Sequence, residues 1–377
     1  MFAGSSNRVA VVASAQTKFR AAWSDRQHID LISEAVVSAL KGSGLRIEDV
    51  DFVIDSGSDI LDGRSISNCG FLGAMGAHHK EESRVEEDGL WAALYGATKI
   101  GSGSAEVGLV LAYSKPSESE VAAFYATQCE PFYQRPVGFD HAAASGLQAQ
   151  AYLATHSLSE EIFADVVVGD WASAAANPGV ETDSIPDVAA VRASDPVATP
   201  LRQLELSRPV DGAVAVVLAS RRVAERVCPD PVWITGIGTA MDQHHFSMRE
   251  RDSLPACRAA AEAAYRRAGL EDPRAVSLAE ISASSAATQL MVLEALGLAE
   301  DGTASRLYSE GSDVALNPSG GSLPADPIMA TGLARLSEAA LQLTDRVDHA
   351  PPAASSAIVH GAGGVGMQNH CVFTIEA

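Results

Sequence analysis

The stretch SEAVVSALKGSGLRIEDVDFVIDS, Ser33–Ser56, is matched about 228 residues later by AEAAYRRAGLEDPRAVSLAEISAS, Ala261–Ser284. In each stretch, residues at helical spacing end at Gly-Leu, an acidic turn follows, and an apolar run predicts a strand. A β-rich run precedes each copy, RVAVVASAQTKF in the first and VWITGIGTA in the second. The repeat is far longer than the period of a solenoid. The pattern therefore predicts an α/β fold made of two duplicated βαβ-type halves.

The rest of the chain predicts the limits of these halves. We expect a first half over residues 1–225, closed by the apolar strand AVAVVLA, and a second half over 226–377. From about residue 115 to 208 the periodicity is weak, apart from a helical stretch, and prolines, aromatics and acids are frequent. A long insertion of this kind is typical of ligand or interface contacts, and the alternative is a surface elaboration that only packs a dimer.

Composition excludes several classes of function. The chain has 377 residues, 47% of them hydrophobic, and a formal net charge of -21. Such a charge disfavours binding to nucleic acid or to an anionic membrane surface. No apolar run reaches the length of a membrane span, and the first residues lack the pattern of a signal peptide. We expect a cytoplasmic protein that binds no nucleic acid and does not span a membrane.

Two further patterns do not indicate the kinds of site that they first suggest. The five cysteines are scattered without a CxxC pair, so no metal site and no disulfide framework is expected. SAIVHGAGGVGMQN, residues 356–369, fits the G-x-G-x-x-G spacing of a dinucleotide-binding loop. That loop must be followed by a helix and a returning strand, and too few residues remain after it. These glycines therefore need another explanation than a dinucleotide.

The segment NPSGGSLPADPIMATGLARLSEAA, Asn317–Ala340, together with HGAGGVG, resembles the C-terminal half of the thiolase superfamily. The similarity is to the lipid-transfer-protein/thiolase-like branch, an acetyl-CoA acetyltransferase-like group. It extends over the duplicated halves, the insertion, the DGAVAVVLAS strand and TQLMVLEALGL. The resemblance implies a thiolase fold with five αβαβα layers and an inserted loop domain. It also implies a homodimer, for which VGLVLAYS suggests a buried edge strand, and a small partner with an OB-fold and a zinc ribbon.

The resemblance implies four chemical positions, and this chain departs from the family at each. Glu87, Asp88 or Gly89 stands where the family has its nucleophilic cysteine, and no cysteine is nearby. Asp326 replaces the histidine of G-H-P, where a carboxylate would repel an oxyanion unless it were protonated. His360 replaces the late cysteine that transfers the enolate proton, and imidazole is a suitable base there.

The fourth position of the family is a polar motif on a strand of the second half, which here reads Ser282–Ser285 with no Asn or His. We therefore predict catalytic roles for His360 as base, oriented by Asp326, and for Glu87 or Asp88 as a second acid. The glycine turns are expected to approach the thioester with bare backbone. Arg135, Lys115 and Arg202 either meet the phosphates of coenzyme A or are solvated surface charges. The predicted substrate-binding residues are Gly320, Gly321, Gly363, Gly364 and Arg135.

The insertion also contains YATQCEPFYQRPVGFDH, residues 125–141, whose aromatic residues either line a tunnel for an apolar acyl group or form a small core. The leading function is carbon-carbon bond formation or cleavage next to a CoA thioester, of aldol or Claisen type, with no cysteine nucleophile and no covalently bound cofactor. The alternative is a thiolase-like subunit without catalysis that acts as a scaffold or binds acyl-CoA or lipid.

Overall fold

The computed structural model describes residues 8–377. Within them the strands and α-helices follow in this order: β1 (Val9–Gln16), α1 (His28–Ser43), β2 (Phe52–Ser56), β3 (Glu81–Val85), α2 (Gly89–Gly101), β4 (Val107–Ser114), α3 (Val121–Thr127), α4 (His141–His156), α5 (Ile162–Ala176), α6 (Val188–Ala193), β5 (Pro196–Ala198), β6 (Leu201–Arg202), β7 (Gly212–Ser220), α7 (Arg221–Val227), β8 (Val232–Met241), α8 (Pro255–Ala268), β9 (Leu278–Glu280), α9 (Ala286–Ala295), α10 (Arg306–Ser309), β10 (Ala315–Leu316), α11 (Thr331–Leu343), β11 (Ser356–Gly363) and β12 (Asn369–Glu376).

The strands of the two halves are arranged in the same order. The first group runs β3-β2-β4-β7-β1 and the second β10-β9-β11-β12-β8, with β1 and β8 paired antiparallel where the groups meet. In this order β1 corresponds to β8, β7 to β12 and β4 to β11, and α1 and α8 follow equivalent strands. The predicted duplication and the α/β fold class are therefore confirmed.

Side chains on opposite faces of the strands pack into different layers. On β11, Ile358 belongs to a core shared with α8 and α9, whereas Val359 belongs to a core that includes Leu90 of α2 and Leu333 of α11. The outer face of the first group packs on α1. Because successive residues of a strand point to opposite faces, each of the two groups of strands is covered on both faces. The central helices α2 and α11 contact each other between the two groups of strands.

Helix α1 illustrates how the repeat folds locally. Its buried residues Leu31, Ile32, Ala35, Val36 and Ala39 lie on one face. The helix ends at Gly44, whose φ of 68° lies in the left-handed region where a residue without Cβ is favoured. The Gly-Leu signal read from the sequence therefore marks a true helix end.

The prediction that VGLVLAYS forms an edge strand was wrong. This segment is β4, which pairs with β2 on one side and with β7 on the other. Its residues are buried throughout because both neighbours and both covering layers surround it. The edge strands of the sheet in residues 8–377 are β3 and β10, and β3 carries the charged sequence EESRV that is typical of an exposed edge.

The segment between β4 and β7 contains α3 to α6 and the small hairpin of β5 and β6. Helices α4 and α5 account for the helical stretch predicted there, and they pack against α9 of the second half. None of the helices in residues 8–377 combines the length and the apolar character needed to cross a bilayer.

Candidate active site

A cavity of about 340 Å³ lies at the N-terminal ends of the two central helices. Its walls come from the start of α2, the loop before α11, the turn between β11 and β12, the β2–β3 loop and the inserted segment. Four carboxyl groups line it, those of Glu86, Glu87, Asp88 and Asp326, while Lys and Arg are absent from the lining in the described part of the chain. The cavity thus combines acidic groups with apolar walls.

Asp88 is the central group of this cavity. It is the N-cap of α2, and its Oδ1 accepts a hydrogen bond from Leu90 N at 2.9 Å. Its Oδ2 accepts a hydrogen bond from Gly332 N of α11 at 2.7 Å, so both central helices direct an N–H group at one carboxyl. Burial nevertheless outweighs these hydrogen bonds and raises the pKa of Asp88 to about 8. At neutral pH this group is a protonated acid that is poised to exchange its proton.

Glu87 lies beside Asp88. Its Oε2 accepts a hydrogen bond from Asn369 Nδ2 at 2.6 Å, and burial raises the pKa of the carboxyl. Glycines provide the space for both carboxyl groups. A Cβ on Gly332 would lie 2.0 Å from Asp88 Oδ1, and one on Gly363 would lie 1.9 Å from Glu87 Oε1. Glycine is required in these places because any side chain would displace the acids.

Asp326 also lines the cavity. Its carboxyl accepts hydrogen bonds from Ser207 Oγ at 2.7 Å, Thr331 Oγ1 at 2.6 Å and Ile328 N at 3.0 Å. Burial raises its pKa despite these donors. A raised pKa makes the ionised carboxyl a stronger proton acceptor than an ordinary aspartate.

His360 was predicted as the base, and the structure places it elsewhere. It lies on the face of β11 that is directed toward α8, completely buried, and it is not among the residues that line the cavity. Its Nε2 is 3.0 Å from Nδ1 of His370, and burial holds its pKa well below the usual value. The neighbouring positions Gly361 and Gly363 face the carboxyl groups because β-strand side chains alternate. Asp326 has no contact with His360.

His360 and His370 form a buried group with Cys257, in which the possible ligand atoms lie within 4.8 Å of one another. Three donors are fewer than the four of a structural zinc site, and a catalytic site with three protein ligands needs an open fourth position, whereas this buried group lies outside the cavity. The group has the character of a buried polar contact between β11, β12 and α8.

Three of the predicted substrate-binding residues also lie outside the cavity, whereas Gly363 and Gly364 line it. A Cβ on Gly320 would meet Ala174, and one on Gly321 would meet Asn317, so these two glycines allow close packing of the insertion. Arg135 donates hydrogen bonds to the carbonyl groups of Thr127 and Cys129. Its guanidinium therefore stabilises its own loop.

The other cations proposed for coenzyme A are engaged as well. Lys115 pairs with Glu118, and Arg202 donates to the carbonyl of Ser194 at 3.1 Å. Ser282, Ala283 and Ser284, in place of the family's polar motif, do line the cavity.

Tyr125 lines the cavity, as one of the two expectations for the aromatic residues of the insertion had it, and so does His141, which sequence reasoning did not single out. Their rings are stacked with centroids 4.2 Å apart and an interplanar angle of 12°. Phe124 also lines the cavity, while Phe132 and Tyr133 of the same segment are 80% and 74% exposed. Phe124 and Tyr125 therefore fit the expected tunnel lining, whereas the exposed rings of Phe132 and Tyr133 fit neither a tunnel nor a small core. No sequence period distinguishes the inward from the outward rings.

Comparison with known proteins shows which family model and which relatives this chain matches. Residues 238–375 match the family described as thiolase C-terminal domain-like. The chain is 25% identical over 374 residues to an acetyl-CoA acetyltransferase of Methanothermobacter thermautotrophicus, covering 95% of this chain and 97% of that protein. It is 26% identical over 332 residues to the 17-hydroxy-3-oxo-4-pregnene-20-carboxyl-CoA lyase of Mycobacterium tuberculosis, covering 81% and 83%.

The fold is also similar to that of solved structures. The structure of the Ltp2-ChsH2(DUF35) aldolase superposes with a TM-score of 0.84 at 22% sequence identity, covering 98% of each chain. The similarity at this level of identity concerns the fold.

Proposed function

Because this chain is a thiolase-superfamily protein of the lipid-transfer-protein/thiolase-like kind, we propose that it forms or cleaves a carbon-carbon bond next to a CoA thioester by carboxyl-based proton transfer. The observation that carries the proposal is Asp88, a protonatable acid at the ends of both central helices and on the wall of the cavity. No cysteine lines this cavity in residues 8–377, which favours a reaction without an acyl-enzyme.

The reaction is of aldol type. In the cleavage direction, the proton of the β-hydroxyl leaves, the bond between Cα and Cβ breaks, and its electron pair forms the thioester enolate while Cβ becomes a carbonyl. Asp88 then donates its proton to the α-carbon. In the synthetic direction the Asp88 carboxylate removes that proton. A carboxyl with a pKa of about 8 suits both directions, since proton transfer is most effective when the pKa lies near the working pH.

The lining indicates the type of acyl group. Four carboxyl groups without a lysine or arginine in the described lining disfavour an acyl chain that ends in a carboxylate. The side chains of Ile60, Phe124, Ile328, Met329 and Met367 offer apolar surface instead. A neutral, bulky β-hydroxyacyl-CoA therefore fits the cavity. Two relatives whose names specify CoA substrates, one of them a lyase, support this class.

The partner subunit of the proposed protein is inferred from its relatives rather than from its own residues. The aldolase structure to which it is similar contains a DUF35 partner, which supports an OB-fold/zinc-ribbon subunit for this chain. The division into residues 1–225 and 226–377, the insertion at about 115–208, a homodimer and a cytoplasmic location belong to the same proposal.

The first test is exchange of α-protons, because it needs no knowledge of the second substrate. The protein is incubated with acetyl-CoA or propionyl-CoA in D2O, and deuterium uptake is measured by mass spectrometry. We expect exchange whose rate rises as pH increases through about 8, since the Asp88 carboxylate is the active form. Asp88→Asn should lower the rate by about 100-fold or more.

Asp170→Asn is the matched control. Asp170 is also buried with a pKa raised to about 8, but it lies outside the cavity and accepts a hydrogen bond from Gln289. Its amide variant should exchange protons at the unmodified rate. Binding of acyl-CoA without any exchange would instead favour a scaffold, and a mass increase from a covalent acyl group would contradict the cysteine-free reaction.

A further inference from the structure

Tyr125 has the features of a catalytic proton carrier. It lies on α3 of the insertion and lines the same cavity as Asp88 and Asp326. Its hydroxyl has no hydrogen-bond partner in residues 8–377. Tyr125 is half-buried, and its hydroxyl is open to the cavity, where solvent or a ligand can reach it. A ligand in the cavity would provide the missing partner.

Neighbouring rings hold this phenol in place. Tyr125 stacks on His141 at 4.2 Å, and Phe124 packs on it with ring centroids 5.2 Å apart. Neither ring nitrogen of His141 has a partner among the described residues, and burial lowers the pKa of this histidine to about 4. The imidazole is therefore neutral at pH 7. His141 acts as a positioning residue that fixes the plane of the Tyr125 ring.

The electrostatic setting keeps Tyr125 protonated. Burial raises the pKa of the phenol, and the charge of nearby Asp326 raises it further. An isolated tyrosinate is unfavourable here, so a proton that arrives at the Tyr125 oxygen must leave toward another acceptor. Asp326 is the carboxyl whose charge acts on Tyr125, and Thr331 and Ser207 hold its orientation.

From this arrangement we propose that Tyr125 relays the proton between the β-hydroxyl of the acyl group and Asp326, an inference that rests on the proposed function. In cleavage, the hydroxyl proton passes to the Tyr125 oxygen as the phenol proton passes through one water to the Asp326 carboxylate. The bond between Cα and Cβ then breaks, and the enolate takes its α-proton from Asp88. Asp326 returns its proton to water and Asp88 regains one, so the cycle is balanced without another reactant.

The relay assigns different groups to the two partial reactions, and this difference gives the test. Exchange of α-protons needs Asp88 alone, whereas bond formation also needs a proton for the nascent alkoxide. Tyr125→Phe removes only the hydroxyl and keeps the ring on His141. We measure deuterium uptake by propionyl-CoA, and separately the adduct of propionyl-CoA with a series of neutral aldehydes from propanal to benzaldehyde, detected by mass spectrometry.

We expect Tyr125→Phe to retain α-proton exchange within about twofold and to lose adduct formation by about 100-fold or more. Tyr133→Phe is the matched control, because Tyr133 lies in the same segment, is 74% exposed and does not line the cavity. It should leave both rates unchanged.

Other results overturn the relay in distinct ways. Adduct formation by Tyr125→Phe at the unmodified rate, or loss of both reactions together, contradicts the assigned role. Exchange without any adduct from the unmodified protein contradicts the relay but leaves enolisation by Asp88 in place. Absence of exchange from the unmodified protein contradicts the proposed function itself.

Discussion

At the scale of single residues, Gly361 and Gly363 of HGAGGVG leave the space that the carboxyl groups of Asp88 and Glu87 occupy. A Cβ on Gly361 would lie 2.7 Å from Asp88 Oδ1 and 3.0 Å from Leu90 Cβ. The carboxyl cannot move freely, because Leu90 N and Gly332 N already hold it. A motif that resembles a cofactor loop therefore serves to accommodate the acids of the cavity.

A Gly361→Ala substitution should show this directly. We expect a loss of about 1–3 kcal/mol in the free energy of unfolding, because the added methyl group overpacks the space beside Asp88. The α-proton exchange rate should fall as well, since Asp88 is displaced. Gly42→Ala on α1 is the control: its Cβ would meet only Ala13 at 3.6 Å, and it should be neutral or stabilising in urea unfolding. Equal effects of both substitutions would contradict the argument.

At the scale of elements, α11 has to be buried on every side. It lies between the two groups of strands, and even its polar residues Arg335 and Glu338 are buried. Arg335 donates to Glu280 Oε2 of β9 at 2.9 Å and to Ser319 Oγ at 2.6 Å. Gln342 donates to the other oxygen of Glu280 at 2.8 Å. This network connects the helix that forms one end of the cavity to the strands of the second half.

Removing Arg335 from its ion pair with Glu280 should destabilise the folded protein. Arg335→Met should lower the free energy of unfolding by about 3–5 kcal/mol, because the Glu280 charge then lacks its cation. The double variant with Glu280→Gln should recover part of the loss, since neither charge is left alone. Urea denaturation of the unmodified protein and of these two variants measures both effects. A double variant less stable than Arg335→Met would show that the pair does not act in this way.

At the scale of the whole molecule, the buried acids make stability depend on pH. Burial raises the pKa of Asp88 and of Asp170 to about 8, so the folded protein binds protons that the unfolded chain has released. The stability that such groups contribute is lost as the pH rises from their pKa in the unfolded chain to their pKa in the folded protein. Buried histidines such as His141, whose pKa is lowered, act in the opposite direction but only below about pH 6.5.

The free energy of unfolding should therefore decrease between about pH 6.5 and 9. A single acid contributes up to about 1.4 kcal/mol per pH unit in this window. The double variant with Asp88→Asn and Asp170→Asn should show a shallower decrease, because two of the titrating groups are gone. Denaturant unfolding at a series of pH values checks this, and a stability that increases over the same window would contradict the assignment.

The sequence alone was sufficient for the overall architecture of this protein. Helix and strand periodicity, helix ends such as Gly44 and the long internal repeat are local or repeated signals, and they predicted a duplicated α/β fold. The thiolase arrangement was implied by the resemblance of Asn317–Ala340 and HGAGGVG to that superfamily. The sequence also identified the acids Glu87, Asp88 and Asp326, because the family resemblance aligns short motifs. These signals survive in sequence since they depend on neighbours along the chain.

Only the tertiary structure decided which side chains meet. The direction of His360 depends on the register of β11, and a shift of one residue along a strand turns a side chain from the cavity to the opposite layer. The place of β4 inside the sheet depends on pairing with distant strands. Tyr125 and His141 reach the cavity from an insertion without periodicity. Such contacts between residues far apart in the chain are set by packing, which leaves no local pattern.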